Sequence, residues 1–116
     1  MKITKVSPKE ISKRLNKPWT PLKLLNVNDH VVRMALFKGE YHWHVHRGED
    51  ELFYVLKGEV KIRVKEGEDV VLGEGEMVVV PRGVEHAPVS EEGALVLMFE
   101  PEALKSRGDE NASGGG

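Results

Sequence analysis

From Leu22 to Phe99 the chain sustains no apolar run longer than about eight residues before Gly, Pro, Asn or Asp interrupts it. Such punctuation leaves no room for helices that bury a face, and favours short strands joined by turns. Leu22–Val27 and Val31–Phe37 flank Asn28-Asp29, a hairpin signal. Lys38-Gly39-Glu40 turns into Tyr41–His46, Arg47–Asp50 turns into Glu51–Leu56, and Lys57-Gly58-Glu59 turns again. Val60 to Lys65 alternates strictly, with Val60, Ile62 and Val64 on one face and Lys61, Arg63 and Lys65 on the other. That is the pattern of a half-buried antiparallel strand. Val70–Leu72, Met77–Val80 and a last apolar run, Ala94–Phe99, complete about eight strands. The expected fold is all-β, a closed or rolled antiparallel barrel.

Ahead of it, Ser7-Pro8-Lys9-Glu10 has the form of a capping box with proline at the first helical position. It predicts a short helix from Pro8 to about Leu15, ended by Pro18 and Pro21. The expected organisation of the 116 residues is a helix and lead-in over 1–20, one barrel over 21–104, and a disordered tail over 105–116 that ends in SGGG.

Composition removes several function classes. Lys plus Arg is 17 against 19 for Asp plus Glu, with no basic block, so nucleic acid is not an expected partner. No stretch approaches the roughly 20 apolar residues of a membrane span, and the N-terminal residues lack the apolar run of a secretory signal. The expected compartment is the cytoplasm. Cysteine is absent, which excludes disulfides, thiolate nucleophiles and sulfur ligands. Any metal must be held by nitrogen and oxygen.

The stretch His42–Glu51, HWHVHRGEDE, concentrates the chain's chemistry. In an extended strand His42, His44 and His46 share one face, with neighbouring Cα atoms about 6.6 Å apart, while Trp43 and Val45 face away. His46 and Glu51 are separated by an odd step, so one continuous strand would place them on opposite faces. Arg47–Asp50 must therefore bend, and its glycine allows the chain to double back. Glu51, Phe53 and Val55 then share one face. Glu49 and Asp50 are expected as exposed turn acids, each able to substitute as a ligand if the bend differs. His86 follows a Pro-x-Gly turn far along the chain. Three imidazoles and a carboxylate without sulfur suit a divalent transition ion: Fe, Mn, Ni, Cu or Zn. His30, beside Asn28-Asp29, reads as a solvated turn residue, and Arg82 and Glu85 as a solvated loop pair.

Gly39 to Gly58 resembles the first motif of the cupin superfamily: a glycine, then His44-Val45-His46, four residues to Glu51 and six more to Gly58. Gly75 to His86 is similar to the second: glycine, five residues, Pro81, one residue, Gly83, two residues, His86. Gly39 stands one residue closer to His44 than in the common pattern, and Ser90 replaces a frequent asparagine. The resemblance runs over Leu22–Pro101. It implies a small jelly-roll barrel with His44, His46, Glu51 and His86 as metal ligands, and a likeness to the phosphomannose isomerase-like members. His42 has the right face but not the motif position, and is the one candidate for a catalytic acid or base.

What the resemblance implies about function falls into two classes. One is an enzyme, a dioxygenase of enol-type substrates or a sugar isomerase or epimerase. The other is a binding module that holds a metal or small ligand without turnover. The inward candidates Met34, Phe53, Val55, Val80 and Val89 are apolar, with no second acid, base or basic clamp among them, so a small and partly hydrophobic ligand is expected. Leu52, Tyr54 and Leu56 on the outer face predict a homodimer.

Overall fold

A computed structural model describes residues 1–105 and 107–109. Helix α1 (Pro8–Ser12) opens the chain, capped by Ser7, whose hydroxyl accepts from Glu10 N at 3.3 Å. It stops short of Leu15 because none of its residues is buried, so only the cap sustains it. Seven strands follow: β1 (Leu22–Val27), β2 (His30–Glu40), β3 (Glu51–Lys57), β4 (Val60–Val64), β5 (Val70–Leu72), β6 (Met77–Val80) and β7 (His86–Pro101). All pairings are antiparallel. No helix among the described residues is long and apolar enough to cross a membrane.

β7 is the element around which the others assemble. Its first part, His86–Val89, pairs with β4, and its second part, from Ala94, pairs with both β2 and β3. The exposed pair Glu91-Glu92 lies between the two parts. The sheet therefore rolls through one long strand where the sequence suggested only Ala94–Phe99. Proline at 88 and the polar stretch Ser90–Gly93 hid that continuity. β6 is added outside β3, giving the path β1-β2-β7-β3-β6, with β5 beside β4.

Alternate residues fill the interior. Ala35, Phe37, Phe53, Val55, Val60, Ile62, Leu72, Val80, Ala94, Val96 and Met98 form one buried cluster. Phe37 and Phe53 meet edge to face, their centroids 5.7 Å apart. Gly58 cannot carry a side chain in this packing. Its φ is +90°, and a Cβ there would sit 2.4 Å from Gly93 O.

Four expectations change. Tyr41–His46 forms no ladder strand; an isolated bridge joins its His44 to His86. His30 begins β2, pairs with Val27 and stacks on Phe99 at 5.1 Å, so it is a strand residue with a side chain still partly exposed rather than a free turn residue. Met34 is buried but lies outside the main cluster. Val89 lines an outer groove with Lys61 and Val71. Of the expected tail, Ser106 and Glu110–Gly116 fall outside the described residues.

Candidate metal centre

The bend between His46 and Glu51 is fastened to the turn before His86. Gly83 N donates to His46 O at 2.8 Å, and Arg82 N donates to Asp50 Oδ1 at 2.8 Å. Asp50 is thus a clamp for the bend, and its bonds from Arg82 hold its carboxyl below the usual range. His44 and His86 exchange both backbone hydrogen bonds, at 3.0 and 2.9 Å, which sets the two imidazoles side by side with centroids 4.3 Å apart. Glu51 opens β3 with its side chain inward.

One ligand atom from each of His44, His46, Glu51 and His86 lies within 4.8 Å of the others, and all four residues are buried. His46 Nε2 is 3.4 Å from Glu51 Oε1, and His86 Nε2 is 4.0 Å from the same oxygen. The tautomers of two rings follow from their neighbours. His44 Nδ1 meets His42 O and His86 Nδ1 meets Val84 O, each at 2.9 Å. A backbone carbonyl only accepts, so these nitrogens carry the proton and each Nε2 keeps a lone pair.

Burial also keeps the rings neutral. It lowers His44 to about 3, aided by the neighbouring His86 and opposed by the bond to His42 O. Burial likewise lowers His86, and it lowers His46 against the pull of Glu100, Asp109 and Glu49. Three neutral imidazoles and a carboxylate are the donor set a divalent transition ion requires. His46 Nε2 and His86 Nε2 are buried without a protein hydrogen-bond partner. Buried polar atoms are rarely left so, and an ion held between them would satisfy both.

Behind Glu51 the barrel holds a second acid that the sequence reading did not identify. Glu100, in β7, is 1 % exposed, and Arg33 from β2 donates to its Oε2. The two carboxyl groups face each other. Burial and then Glu51 push Glu100 up to about 9, opposed by Arg33, and burial raises Glu51. The pair therefore shares a proton near neutral pH. Strand parity carried the signal: Val96, Met98 and Glu100 are in step, as are Val31, Arg33 and Ala35.

A narrow cleft, open to solvent, adjoins His44 and Glu51. Its other walls are mostly apolar and aromatic: Trp19, Phe37, Tyr41, Phe53, Pro88 and Met98 are among them. His42 does not join the four-residue set. Its Nε2 meets Arg107 O at 2.9 Å and its ring lies 5.3 Å from that of His44. Trp43 faces outward beneath the guanidinium of Arg63 at 5.1 Å. Glu49 is half-buried rather than exposed.

Comparison with known proteins agrees with this architecture. The model of the cupin domain family matches residues 31–100. An uncharacterised protein of Bacillus subtilis (strain 168), YdbB, is 50 % identical over 60 residues, 52 % of this chain and 53 % of YdbB. Bovine (Bos taurus) 3-hydroxyanthranilate 3,4-dioxygenase is 37 % identical over 70 residues, 58 % of this chain and 24 % of that enzyme. The chain thus matches about half the length of the first and about a quarter of the second. The crystal structure of a cupin-2 domain protein from Shewanella frigidimarina superposes with a TM-score of 0.81 at 31 % identity, covering 84 % of this chain and 94 % of that one.

Proposed function

The chain belongs to the cupin domain family, and we propose that it is a metal-dependent enzyme of dioxygenase type. Its substrate is a small, oxygen-bearing, partly apolar molecule, and its ion is a divalent transition metal (Fe, Mn, Ni, Cu or Zn) held by His44, His46, Glu51 and His86. One observation carries this reading. The four residues offer ligand atoms within 4.8 Å of one another, beside a cleft lined by His44, Glu51 and aromatic side chains. When bound, such an ion supplies Lewis-acid and oxygen-binding chemistry.

The protein's own part is binding and exclusion. Nδ1 bonds aim the Nε2 lone pairs of His44 and His86 inward, and Glu51 contributes one negative charge against the ion. The aromatic walls offer the substrate an apolar face and favour a flat enol or aminophenol over a polyol. An isomerase or epimerase needs a group that moves a proton at carbon. The titratable residues lining the cleft are His44 and Glu51, both assigned as ligands, and Tyr41. His42, tied to Arg107 O, is outside it. This favours the dioxygenase branch over the phosphomannose isomerase-like one. The match to the bovine dioxygenase supports the same branch, over a quarter of that enzyme's length.

The test is metal content and oxygen uptake, with a panel of enediols and 3-hydroxyanthranilate. Wild type should hold one ion per chain and consume oxygen with a member of the panel. The His44→Ala, His86→Ala double variant should do neither. Full metal in both proteins would defeat the site. Metal and ligand bound by wild type with no oxygen uptake would make the protein a binding module instead.

A further inference from the structure

Two of the three site histidines have the ring nitrogen remote from the cluster tied to a backbone carbonyl, and the third does not. His46 is 2 % exposed, and neither of its ring nitrogens has a hydrogen-bond partner among the described residues. Its Nε2 faces Glu51, which leaves Nδ1 to whatever lies behind the ring. Besides the four-residue set, His46 groups with Glu49 and Asp109, one ligand atom from each lying within 4.8 Å of the others. Glu49 Oε1 is likewise buried and without a partner.

Asp109 comes from the end of the described chain, which is laid across the histidine segment. Leu104 is buried, and beyond it Gly108 N donates to Lys105 O at 2.8 Å. Asp109 N donates to Val45 O at 3.0 Å, and Arg47 N donates to Asp109 Oδ2 at 2.7 Å. Both bonds fall on the backbone of the stretch that carries His46. Gly108 makes the close approach possible: its φ is +91°, and a Cβ there would sit 2.7 Å from that of His44.

We propose that Asp109, with Glu49, takes the Nδ1 proton of His46 as a hydrogen bond, so that the strap Arg107–Asp109 completes the metal centre from outside the barrel. The proposal rests on the metal reading above. Asp109 and Glu49 are positioning residues: a carboxylate on Nδ1–H fixes the ring's tautomer and plane, and strengthens Nε2 as a donor. Arg47 N occupies one oxygen of Asp109 and leaves the other for the ring. Glu49, whose buried Oε1 has no partner, lies in the same group within 4.8 Å. A second ion in the same place is disfavoured, because Nδ1 would have to lose its proton while Nε2 holds the first ion.

The experiment compares wild type with the Asp109→Asn, Glu49→Gln double variant and with Gly108→Val, which lifts the strap without touching a carboxylate. Zinc affinity is measured by chelator competition, and the metal-free proteins are examined by nitrogen-15 spectra of the histidine rings. The double variant should bind zinc about 10- to 100-fold more weakly, and Gly108→Val should show part of that loss. In metal-free wild type His46 should be the Nδ1–H tautomer, and in the double variant it should sample both. Equal zinc affinity in wild type and double variant would overturn the proposal, as would two ions per wild-type chain falling to one. If wild type binds no zinc, the metal reading fails instead. The tautomer of His46 then decides the proposal by itself, an unchanged spectrum in the double variant overturning it.

Discussion

Glu100 stands directly behind Glu51 in the barrel interior, and Arg33 is the cation that holds the pair. Two buried carboxyl groups with one guanidinium are stable only while a proton is shared between them. Removing the guanidinium should therefore cost far more than neutralising the rear acid. Arg33→Met should lower the unfolding free energy of the metal-free protein by about 3 kcal/mol, the lower end of the range for breaking a buried pair, because the shared proton relieves part of the loss. Glu100→Gln keeps an acceptor for Arg33 and gains a permanent donor toward Glu51, and should cost less than about 1 kcal/mol. Urea unfolding of the chelated proteins measures both, and equal losses would refute the pairing.

The pH dependence of the metal-free protein has two opposing parts. The histidines are lowered from 6.5, His44 to about 3, so the unfolded chain takes up protons the folded one refuses. Their contribution is complete above pH 6.5 and is lost as the pH falls toward the folded values. Glu51 and Glu100 are raised from 4.5, Glu100 to about 9, so their contribution is complete below pH 4.5 and is lost as the pH rises through the folded values. Above 6.5 the carboxyl pair still loses its contribution, and below 4.5 the histidines do, joined by Asp29, Asp50 and Glu102, whose lowered carboxyls act in the same direction. Stability should therefore peak between these two values. Chelated protein unfolded by urea across the range checks this, and stability that climbs steadily through pH 8 would contradict it.

Period-two alternation made most of the barrel legible. Val60–Val64, Val70–Leu72 and Met77–Val80 appear as strands where their side chains alternate or their flanking turns enclose them. The same parity put His42, His44 and His46 on one face and forced the bend at Arg47–Asp50, while the resemblance to the cupin motifs singled out His44, His46, Glu51 and His86. What escaped was polar and inward. Arg33 sits in step with apolar neighbours in a strand taken for core, and Glu100 falls one residue past the last apolar run, so neither carries a hydrophobic signal. Asp109 lies in a stretch without apolar residues, which composition alone assigns to solvent. Its place against Val45 depends on one glycine, one backbone bond and one side-chain bond that no pattern reveals.

Trp19 links the lead-in to the cleft. Its φ is +59°, unusual for a side chain of this size. Its backbone N–H donates to Leu36 O at 2.8 Å and its indole N–H to Lys38 O at 2.9 Å. The ring packs on Phe37 at 4.5 Å and on Tyr41 at 4.8 Å. Trp19→Ala should thus open the cleft without disturbing the ion. Metal content should stay at the wild-type level while KM for the substrate rises about tenfold, equivalent to about 1.4 kcal/mol of lost contact. Loss of metal in this variant would mean that Trp19 supports the centre itself.

The outer face of β3 asks for a partner. Leu52 lies between Val79 and Phe99, and Tyr54 between Met77 and Leu97, so two rows of apolar side chains continue across β6, β3 and β7. Met77 is 61 % exposed, Val79 50 % and Phe99 38 %, and β6 is an end strand of the sheet. A contiguous apolar patch beside an unpaired strand edge is the surface a second copy of the chain would cover, hiding patch and edge together. The expected state is a homodimer, with light scattering after size exclusion at micromolar concentration giving twice the chain mass. Val79→Glu places a charge at the centre of the patch, on the side of the sheet away from Glu51 and His86. It should yield a folded monomer that retains metal, whereas a monomeric wild type would leave this face without the partner argued for it.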